Sequence, residues 1–227
     1  MQGHGVGKTT LALQISEYIA RKGLHIGFIS LEMAETQLIQ KIVSRISRVN
    51  GYKLRAGNLE DNDFIKIAEV CEDISELPFH IISQVRTIQE IEVKARQLKN
   101  KGELDLLIID YLQLIKNSNK FGNREQEVAD ISRTLKLLSL ELKIPIIALC
   151  QLNRNANKME PTLADLRESG AIEQDADNVI FLYQEEGQEE DKSPIVIAKV
   201  AKQRGGDVGR VKLRFKKINS EFISLVV

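Results

Sequence analysis

Apolar positions along the chain alternate between the spacing of helices and the short continuous runs of buried strands. Apolar residues recur at helical spacing after Thr10 and stop at Gly23, which predicts a first helix. The run Leu24 to Leu31 then predicts a strand, and Ala34 to Val49 predicts a second helix. Three further helix and strand pairs follow: Asp61 to Ser75 with Phe79 to Ile82, Ile88 to Lys101 with Leu104 to Asp110, and Glu125 to Leu142 with Ile144 to Leu149. Strands that alternate with helices predict a mostly parallel sheet covered on both faces.

The pattern changes after residue 178, where strands follow one another without helices. The predicted strands are Asn178 to Tyr183, Pro194 to Val200, Val208 to Phe215 and Phe222 to Val226. Such strands pair antiparallel. The predicted fold is therefore α/β: a mostly parallel sheet flanked by helices, with an antiparallel C-terminal strand extension at one sheet edge.

Composition limits the classes of protein that fit. A chain of 227 residues with 43% hydrophobic content is expected to form one α/β domain over residues 1–227. Lys plus Arg and Asp plus Glu both number 32, which excludes a global basic field, so any nucleic-acid contact must come from local patches. Cys71 and Cys150 lie far apart and are expected to be reduced core residues. No window approaches the roughly 20 apolar residues of a membrane span, so we expect a soluble, cytoplasmic protein.

A glycine-rich segment at the start of the chain carries the strongest chemical signal. Successive backbone N–H groups of such a loop bind phosphate oxygens, and the helix that follows adds its positive end. Lys8 is expected to reach the β and γ phosphates, and Thr9 to bind Mg²⁺. The predicted nucleotide-binding residues are Gly3, His4, Gly5, Val6, Gly7, Lys8, Thr9 and Thr10.

The segment departs from the usual phosphate loop at its start. Gln2 holds the position of the first glycine, and only Met1 and Gln2 precede Gly3, although such a loop normally follows a buried strand. The chain is therefore either a part of a longer protein or a domain whose sheet lacks a central strand.

Two acidic residues follow predicted strands. Asp110 ends a buried run, which would place its carboxylate beside the nucleotide metal at the carboxyl edge of the sheet. Glu32 follows another strand and is the candidate base that polarises the attacking water. The alternative for Glu32 is an acid favoured at the N-terminus of the next helix, and position alone does not separate the two.

Gln151 follows a third strand and so reaches the same edge. An amide there could sense the γ phosphate, although a polar residue is also an ordinary strand terminator. Convergence at one edge favours the functional interpretation.

Several segments together carry a family resemblance over nearly the whole chain. They are Ser30-Leu31-Glu32-Met33, Ile109 to Ile115, Gln151-Leu152-Asn153-Arg154, Asp165 to Asp177 and Ala201-Lys202-Gln203-Arg204. They resemble the RecA-like motor domain of DnaB-type replicative helicases. The run Asp165 to Asp177 is the most specific, because a generic ATPase has no reason to carry it.

The resemblance implies a homohexameric ring that couples ATP hydrolysis with Mg²⁺ to 5′ to 3′ movement on single-stranded DNA and to unwinding. Primase and a helicase loader are further implied partners. It assigns the roles above to Lys8, Thr9, Glu32, Asp110 and Gln151. Lys202 and Arg204 would complete a neighbour's site as the β-type lysine and the arginine finger. Their alternative is an ordinary basic hairpin face, together with Arg210, Lys212, Arg214 and Lys216.

Two segments would line the pore of such a ring. One is the basic stretch 116–124, and the other surrounds residues 167–170. Contacts are expected to go to the DNA backbone, because a travelling motor cannot depend on base identity. The predicted DNA-binding residues are Arg124, Arg167, Glu168 and Gly170.

The family's N-terminal helical domain, its linker helix and the strand before the phosphate loop are not in this sequence. Two other functions therefore stay open. One is a RecA-like recombination ATPase, which shares the fold but has no need of the motif at 165–177. The other is a truncated, non-motor ATP-binding remnant.

Overall fold

Two four-stranded sheets and seven α-helices form the framework of the described chain. The computed structural model describes residues 5–119, 121–152, 160–184, 187 and 191–225. The helices are α1 (Lys8–Ala20), α2 (Glu35–Ser47), α3 (Gly51–Ala56), α4 (Asp61–Ser75), α5 (Ile88–Asn100), α6 (Arg124–Leu142) and α7 (Gly170–Asp175). The strands are β1 (Ile26–Ser30), β2 (Phe79–Ile82), β3 (Leu106–Asp110), β4 (Ile146–Ala148), β5 (Asn178–Gln184), β6 (Ile195–Gln203), β7 (Gly209–Lys216) and β8 (Glu221–Ser224).

The first sheet is parallel, with the strand order β2, β1, β3, β4. Every residue of β1 and β3 is buried, as expected for strands covered by helices on both faces. One face packs against α5 and α6 through a cluster that includes Ile91 and Ile131. The other packs against α1 and α2 through residues such as Leu13 and Leu38. Ser30 pairs with Asp110, so β1 and β3 end side by side.

Side-chain caps fix where two of the long helices begin. Thr87 caps α5 by accepting a hydrogen bond from the Glu90 N–H, while the Glu90 carboxylate accepts one from the Thr87 N–H at 2.9 Å. Asn123 caps α6 by accepting from the Gln126 N–H at 2.9 Å. These caps satisfy N–H groups that have no partner within the helix.

The second sheet is antiparallel, with the strand order β5, β6, β7, β8. It packs against α1 through a cluster of Leu11, Val196, Phe215 and Phe222. The predicted fold class is confirmed. Within the described residues, however, the antiparallel strands form a sheet of their own, since no strand pair joins β4 to β5. The sequence pattern predicts how strands pair, but it does not predict which strands become neighbours.

The predicted elements are present, with shifts at their ends. The short helix α3, capped by Asn50, lies in a stretch with no predicted element. Strand β6 extends to Gln203, three residues beyond its predicted end, so Lys202 lies within the strand. Val226, the last residue of the last predicted strand, lies outside the described residues.

Both cysteines are free, but they differ in exposure. Cys150 is half-buried, whereas Cys71 is exposed. The prediction of a core residue is therefore wrong for Cys71. Helix α4, which carries it, has no fully buried residue, so an apolar side chain on this helix does not indicate a core position. In the part of the chain that the structure describes, no helix is long and apolar enough to cross a membrane.

Candidate functional site

The phosphate-loop segment runs directly into α1. Gly7 precedes the helix with a φ of 90°, in the left-handed region that favours glycine. A Cβ atom at Gly7 would also lie 2.8 Å from the Phe222 ring. Glycine is thus required both by the backbone and by the packing of the second sheet. Gly5 and Val6 belong to the same described stretch, while Gly3 and His4 lie outside the described residues.

Lys8 joins the start of α1 to the end of β4. Its Nζ donates a hydrogen bond to the carbonyl oxygen of Cys150 at 2.7 Å. Burial lowers the pKa of Lys8 from its usual value, and nearby Cys150, Asp110 and Glu32 oppose that shift. A lysine that is half-buried among carboxylates is a cation held at the carboxyl edge of the parallel sheet.

Thr9 and Asp110 form the second contact at this edge. The Thr9 Oγ1 donates to the Asp110 Oδ2 at 2.7 Å, and Asp110 is 2% exposed. Burial raises the pKa of Asp110, and the hydrogen bond from Thr9 opposes the shift. Glu32 raises this pKa further, whereas Lys8 and Lys41 lower it. Two side-chain oxygens that could bind a Mg²⁺ ion therefore lie together.

Glu32 lies close to this pair without belonging to the next helix. It is exposed, and its charge raises the pKa values of Lys8, Asp110 and Tyr111. Helix α2 begins at Glu35, which is the acid of its first turn. The alternative of a helix N-terminal acid therefore describes Glu35 better than Glu32.

Gln151 follows Cys150, whose carbonyl binds Lys8, and is held by a second glutamine. The Gln151 N–H donates to the Gln113 Oε1 at 3.1 Å, and the Gln113 Nε2 donates to the Gln151 carbonyl oxygen at 2.9 Å. The exposed Gln151 side chain thus extends from a backbone that is fixed at the same sheet edge.

Lys41, on α2, is a site residue that the sequence reasoning missed. Its Nζ lies 3.5 Å from the Thr10 Oγ1. Burial lowers the pKa of Lys41, Arg55 lowers it further, and Asp110 raises it. One signal was present in the sequence: Lys41 follows the buried Leu38 by three residues and so shares its inward face.

Lys202 lies on β6, and Arg204 is the first residue after that strand. The Lys202 Nζ donates to the Glu173 carbonyl oxygen at 2.5 Å. The Arg204 Nη1 lies 3.2 Å from the Asp177 Oδ1, and Lys136 binds the other oxygen of Asp177. Among the described residues, these contacts do not bring either cation to Thr9 or Asp110 of the same chain.

The predicted DNA-binding segments meet at the start of α6. Arg124 donates to the carbonyl oxygens of Gln113 and Ile115 at 2.8 and 3.0 Å, and it pairs with Glu127. Gly170 is exposed at the start of α7. Both helix starts line an open cavity of about 450 Å³ that includes Asn123, Gln126, Gly170 and Gln174. The side chains of Arg167 and Glu168 lie outside the described residues.

Comparisons with known proteins place this geometry in context. The family model "DnaB-like helicase C terminal domain" matches residues 3–224. The replicative DNA helicase DnaC of Bacillus subtilis (strain 168) is 40% identical over 97% of this chain and 50% of its own length. A solved structure of an ATPase domain has a TM-score of 0.91 and 33% identity, and the match covers 98% of this chain and 82% of that one.

A second solved structure is titled "The Structure Of A DnaB-Like Replicative Helicase And Its Interactions With Primase". Its TM-score is 0.90 with 33% identity, and the match covers 96% of this chain and 55% of that one. The chain spans about half the length of the curated relatives that it matches.

Proposed function

The chain belongs to the family of DnaB-like helicase C-terminal domains, and from that premise we propose that it is the ATP-driven motor of a 5′ to 3′ replicative DNA helicase. One observation carries the proposal: Lys8, Thr9 and Asp110 meet at the carboxyl edge of the parallel sheet. Ligands of open α/β sheets bind at this edge. Residues 1–227 would then form the ATPase domain of a longer protein that works with replicating DNA in the cytoplasm.

Membership of the family implies that the chain uses a nucleotide. We propose that this nucleotide is ATP, bound together with Mg²⁺. The loop from Gly3 to Gly7 would bind phosphates through its N–H groups, together with Lys8, Thr9 and Thr10. Lys8 would exchange the Cys150 carbonyl for a phosphate oxygen. Thr9 and Asp110 would hold the Mg²⁺ ion, which when bound would neutralise charge on the β and γ phosphates.

The hydrolytic step needs a base and a sensor in addition to these ligands. Glu32 is exposed beside Asp110, where it would orient and deprotonate the attacking water. Gln151 would contact the γ phosphate through its side-chain amide. Lys41 adds a cation next to Thr10, and we propose that it neutralises phosphate charge at the same site.

Completion of the site would come from a second copy of the chain. Lys202 and Arg204 would act on a neighbour's phosphates, because an arginine finger stabilises charge that develops during phosphoryl transfer. They contact α7 and Asp177, whereas Lys8 contacts the Cys150 carbonyl after β4. A homohexameric ring satisfies this requirement for every subunit.

Single-stranded DNA would pass the surface where α6 and α7 begin. Arg124, Arg167, Glu168 and Gly170 are the proposed contacts, with backbone N–H groups and cations directed at phosphates. Primase and a helicase loader are proposed as partners of the complete protein.

Mg²⁺-dependent ATP hydrolysis by the full chain, with and without single-stranded DNA and at several protein concentrations, tests this function. We expect turnover to rise with DNA and steeply with concentration, since sites are shared between subunits. Lys8→Ala should lower turnover by about 10³-fold while the fold is retained. The matched control is Lys22→Ala, because Lys22 is exposed after α1 and its Nζ lies over the Tyr18 ring. Unchanged turnover in Lys8→Ala would contradict the assignment of Lys8 to a phosphate-binding loop.

A further inference from the structure

Gln113 binds both polar groups of one backbone residue with a single side chain. Its Oε1 accepts from the Gln151 N–H at 3.1 Å, and its Nε2 donates to the Gln151 carbonyl oxygen at 2.9 Å. Gln113 lies in the short 3₁₀ turn Leu112–Leu114, just after Asp110. The turn that follows β3 thus reaches across to the segment that follows β4.

These contacts continue the pairing of β3 with β4 beyond the last backbone bonds. The Leu149 N–H donates to the Ile109 carbonyl and the Leu112 N–H donates to the Leu149 carbonyl, both at 2.9 Å. At Gln151 the partner is no longer a backbone group but the Gln113 amide. The Gln113 side chain therefore helps to fix the position of the Gln151 backbone relative to Asp110.

Lys8 also holds this segment, through the Cys150 carbonyl. In the proposed mechanism Lys8 turns to a phosphate when nucleotide binds, so this contact is lost at that moment. The Gln113 pair would then keep Gln151 in place.

We propose that Gln113 is a positioning residue for Gln151, which fixes the sensor's backbone so that its amide meets the γ phosphate. This proposal rests on the proposed function, since it takes Gln151 as the sensor. A side-chain amide both donates and accepts, whereas an ionised glutamate has no donor, and methionine has no donor and only a weak acceptor. The effect would be indirect, because Gln113 acts through the Gln151 backbone.

The same turn extends the connection toward the proposed DNA surface. The main-chain carbonyl of Gln113 accepts a hydrogen bond from Arg124, the first residue of α6. Arg124 also binds the Ile115 carbonyl at 3.0 Å. The sensor, the turn and the start of α6 thus form one hydrogen-bonded unit.

The test compares how well variants discriminate a nucleotide with a γ phosphate from one without it. Titration calorimetry of the full chain gives the Kd of Mg²⁺-ADP and of the non-hydrolysable analogue Mg²⁺-AMPPNP. The readout is the ratio of the ADP Kd to the AMPPNP Kd, which is high when the γ phosphate strengthens binding. This readout needs no turnover. The variants are Gln113→Met, Gln113→Glu, Gln151→Ala and the double variant Gln113→Met with Gln151→Ala.

We expect Gln151→Ala and Gln113→Met each to lower the ratio about fivefold, the effect of one misplaced hydrogen bond. Gln113→Glu should fall between the wild type and Gln113→Met, because it keeps the acceptor. The double variant should match either single variant, since two residues that act through one contact are not additive.

Gln14→Met is the matched control for the loss of backbone hydrogen bonds. Gln14 makes the same reciprocal pair with Phe222, at 2.9 Å in both directions. Its loss should lower the melting temperature about as much as Gln113→Met does, yet leave the ratio unchanged.

Three outcomes would overturn the proposal. A wild-type ratio in Gln113→Met would show that Gln151 is placed without it. Additive losses in the double variant would show that the two residues act independently. A wild-type ratio in Gln151→Ala would instead remove the sensor role, and the positioning role with it, so the two failures are distinguishable.

Discussion

The two sheets bury their residues to different degrees. In the parallel sheet every position of β1 and β3 is buried, and these strands end beside Lys8, Thr9 and Asp110. In the antiparallel sheet most positions of β7 are exposed. Lys202, on β6, binds the Glu173 backbone carbonyl. Arg204, which follows β6, binds the half-exposed Asp177 carboxylate.

This difference separates two kinds of site residue. A buried sheet edge fixes side chains relative to one another, so its residues suit a nucleotide bound by the same chain. Arg204 is exposed and gains little from its ion pair with Asp177, so it can change partners at little free-energy cost. The second sheet is therefore suited to act on a neighbouring molecule.

The largest expected effect tests whether the second sheet acts in trans. Arg204→Ala should lower DNA-stimulated turnover by about 10³-fold, because an arginine finger stabilises the transition state. Its Kd for nucleotide should stay within about twofold of the wild type, since the Lys8 edge is intact. Steady-state kinetics and nucleotide titration measure the two quantities.

Mixing of variants sharpens the same prediction. An equimolar mixture of Lys8→Ala and Arg204→Ala should recover turnover, because about a quarter of the interfaces then join an intact Lys8 to an intact Arg204. A mixture that stays inactive would contradict action in trans. Arg210→Ala, on the exposed strand β7, is the control. An equal loss in this control would favour the ordinary basic face.

A smaller effect is expected at Gly7, where the start of α1 meets the second sheet. Gly7→Ala should reduce the free energy of unfolding by about 3 kcal/mol, from left-handed backbone strain and a displaced ring. The new Cβ would lie 2.8 Å from Phe222, which stacks on Phe215. Urea denaturation measures the loss.

Gly23→Ala is the matched control for backbone strain alone. Gly23 has a φ of +81°, and a Cβ atom added there would have nothing within 4 Å. Its loss should be about 1–2 kcal/mol. Equal losses in the free energy of unfolding for Gly7→Ala and Gly23→Ala would mean that the Phe222 ring moves aside without cost. The phosphate loop would then not be tightly packed against the second sheet.

The fold was predictable where a local pattern decides the structure. The buried run that ends at Asp110 predicted β3, and the spacing of strands and helices predicted the parallel sheet. Helix α3 was missed because it is short, begins at Gly51 and depends on its Asn50 cap. The separation of the two sheets was also missed, since neighbour relations between strands are set by tertiary packing.

The site was predictable for residues that follow strands. Residues after parallel strands share one edge, which is why Asp110, Glu32 and Gln151 could be named together. Lys41 and Gln113 could not be placed in this way. Lys41 reaches Thr10 only because α2 packs beside α1, and Gln113 reaches Gln151 only across a turn.

The smallest expected effect is the loss of stability that comes from burying the Asp110 charge, measured in protein free of metal and nucleotide. Burial raises the pKa of this carboxyl in the folded protein, so its contribution to stability is present below the unfolded pKa and is lost as pH rises through the folded pKa. Asp110→Asn keeps an oxygen that accepts from Thr9 and removes the charge. We therefore expect the variant to be slightly more stable than the wild type at neutral pH, by thermal denaturation.

The pH dependence of this difference identifies its cause. The stability difference between Asp110→Asn and the wild type should decrease as pH falls through the raised pKa of Asp110. It should vanish below the ordinary pKa value of 3.8. Glu32, which raises this pKa, and Lys8 and Lys41, which lower it, face the same carboxyl. If the wild type is instead the more stable at neutral pH, attraction to the two lysines outweighs burial. The charged groups at the parallel-sheet edge would then resemble those of the antiparallel sheet, where contacts with partner groups outweigh the effect of burial.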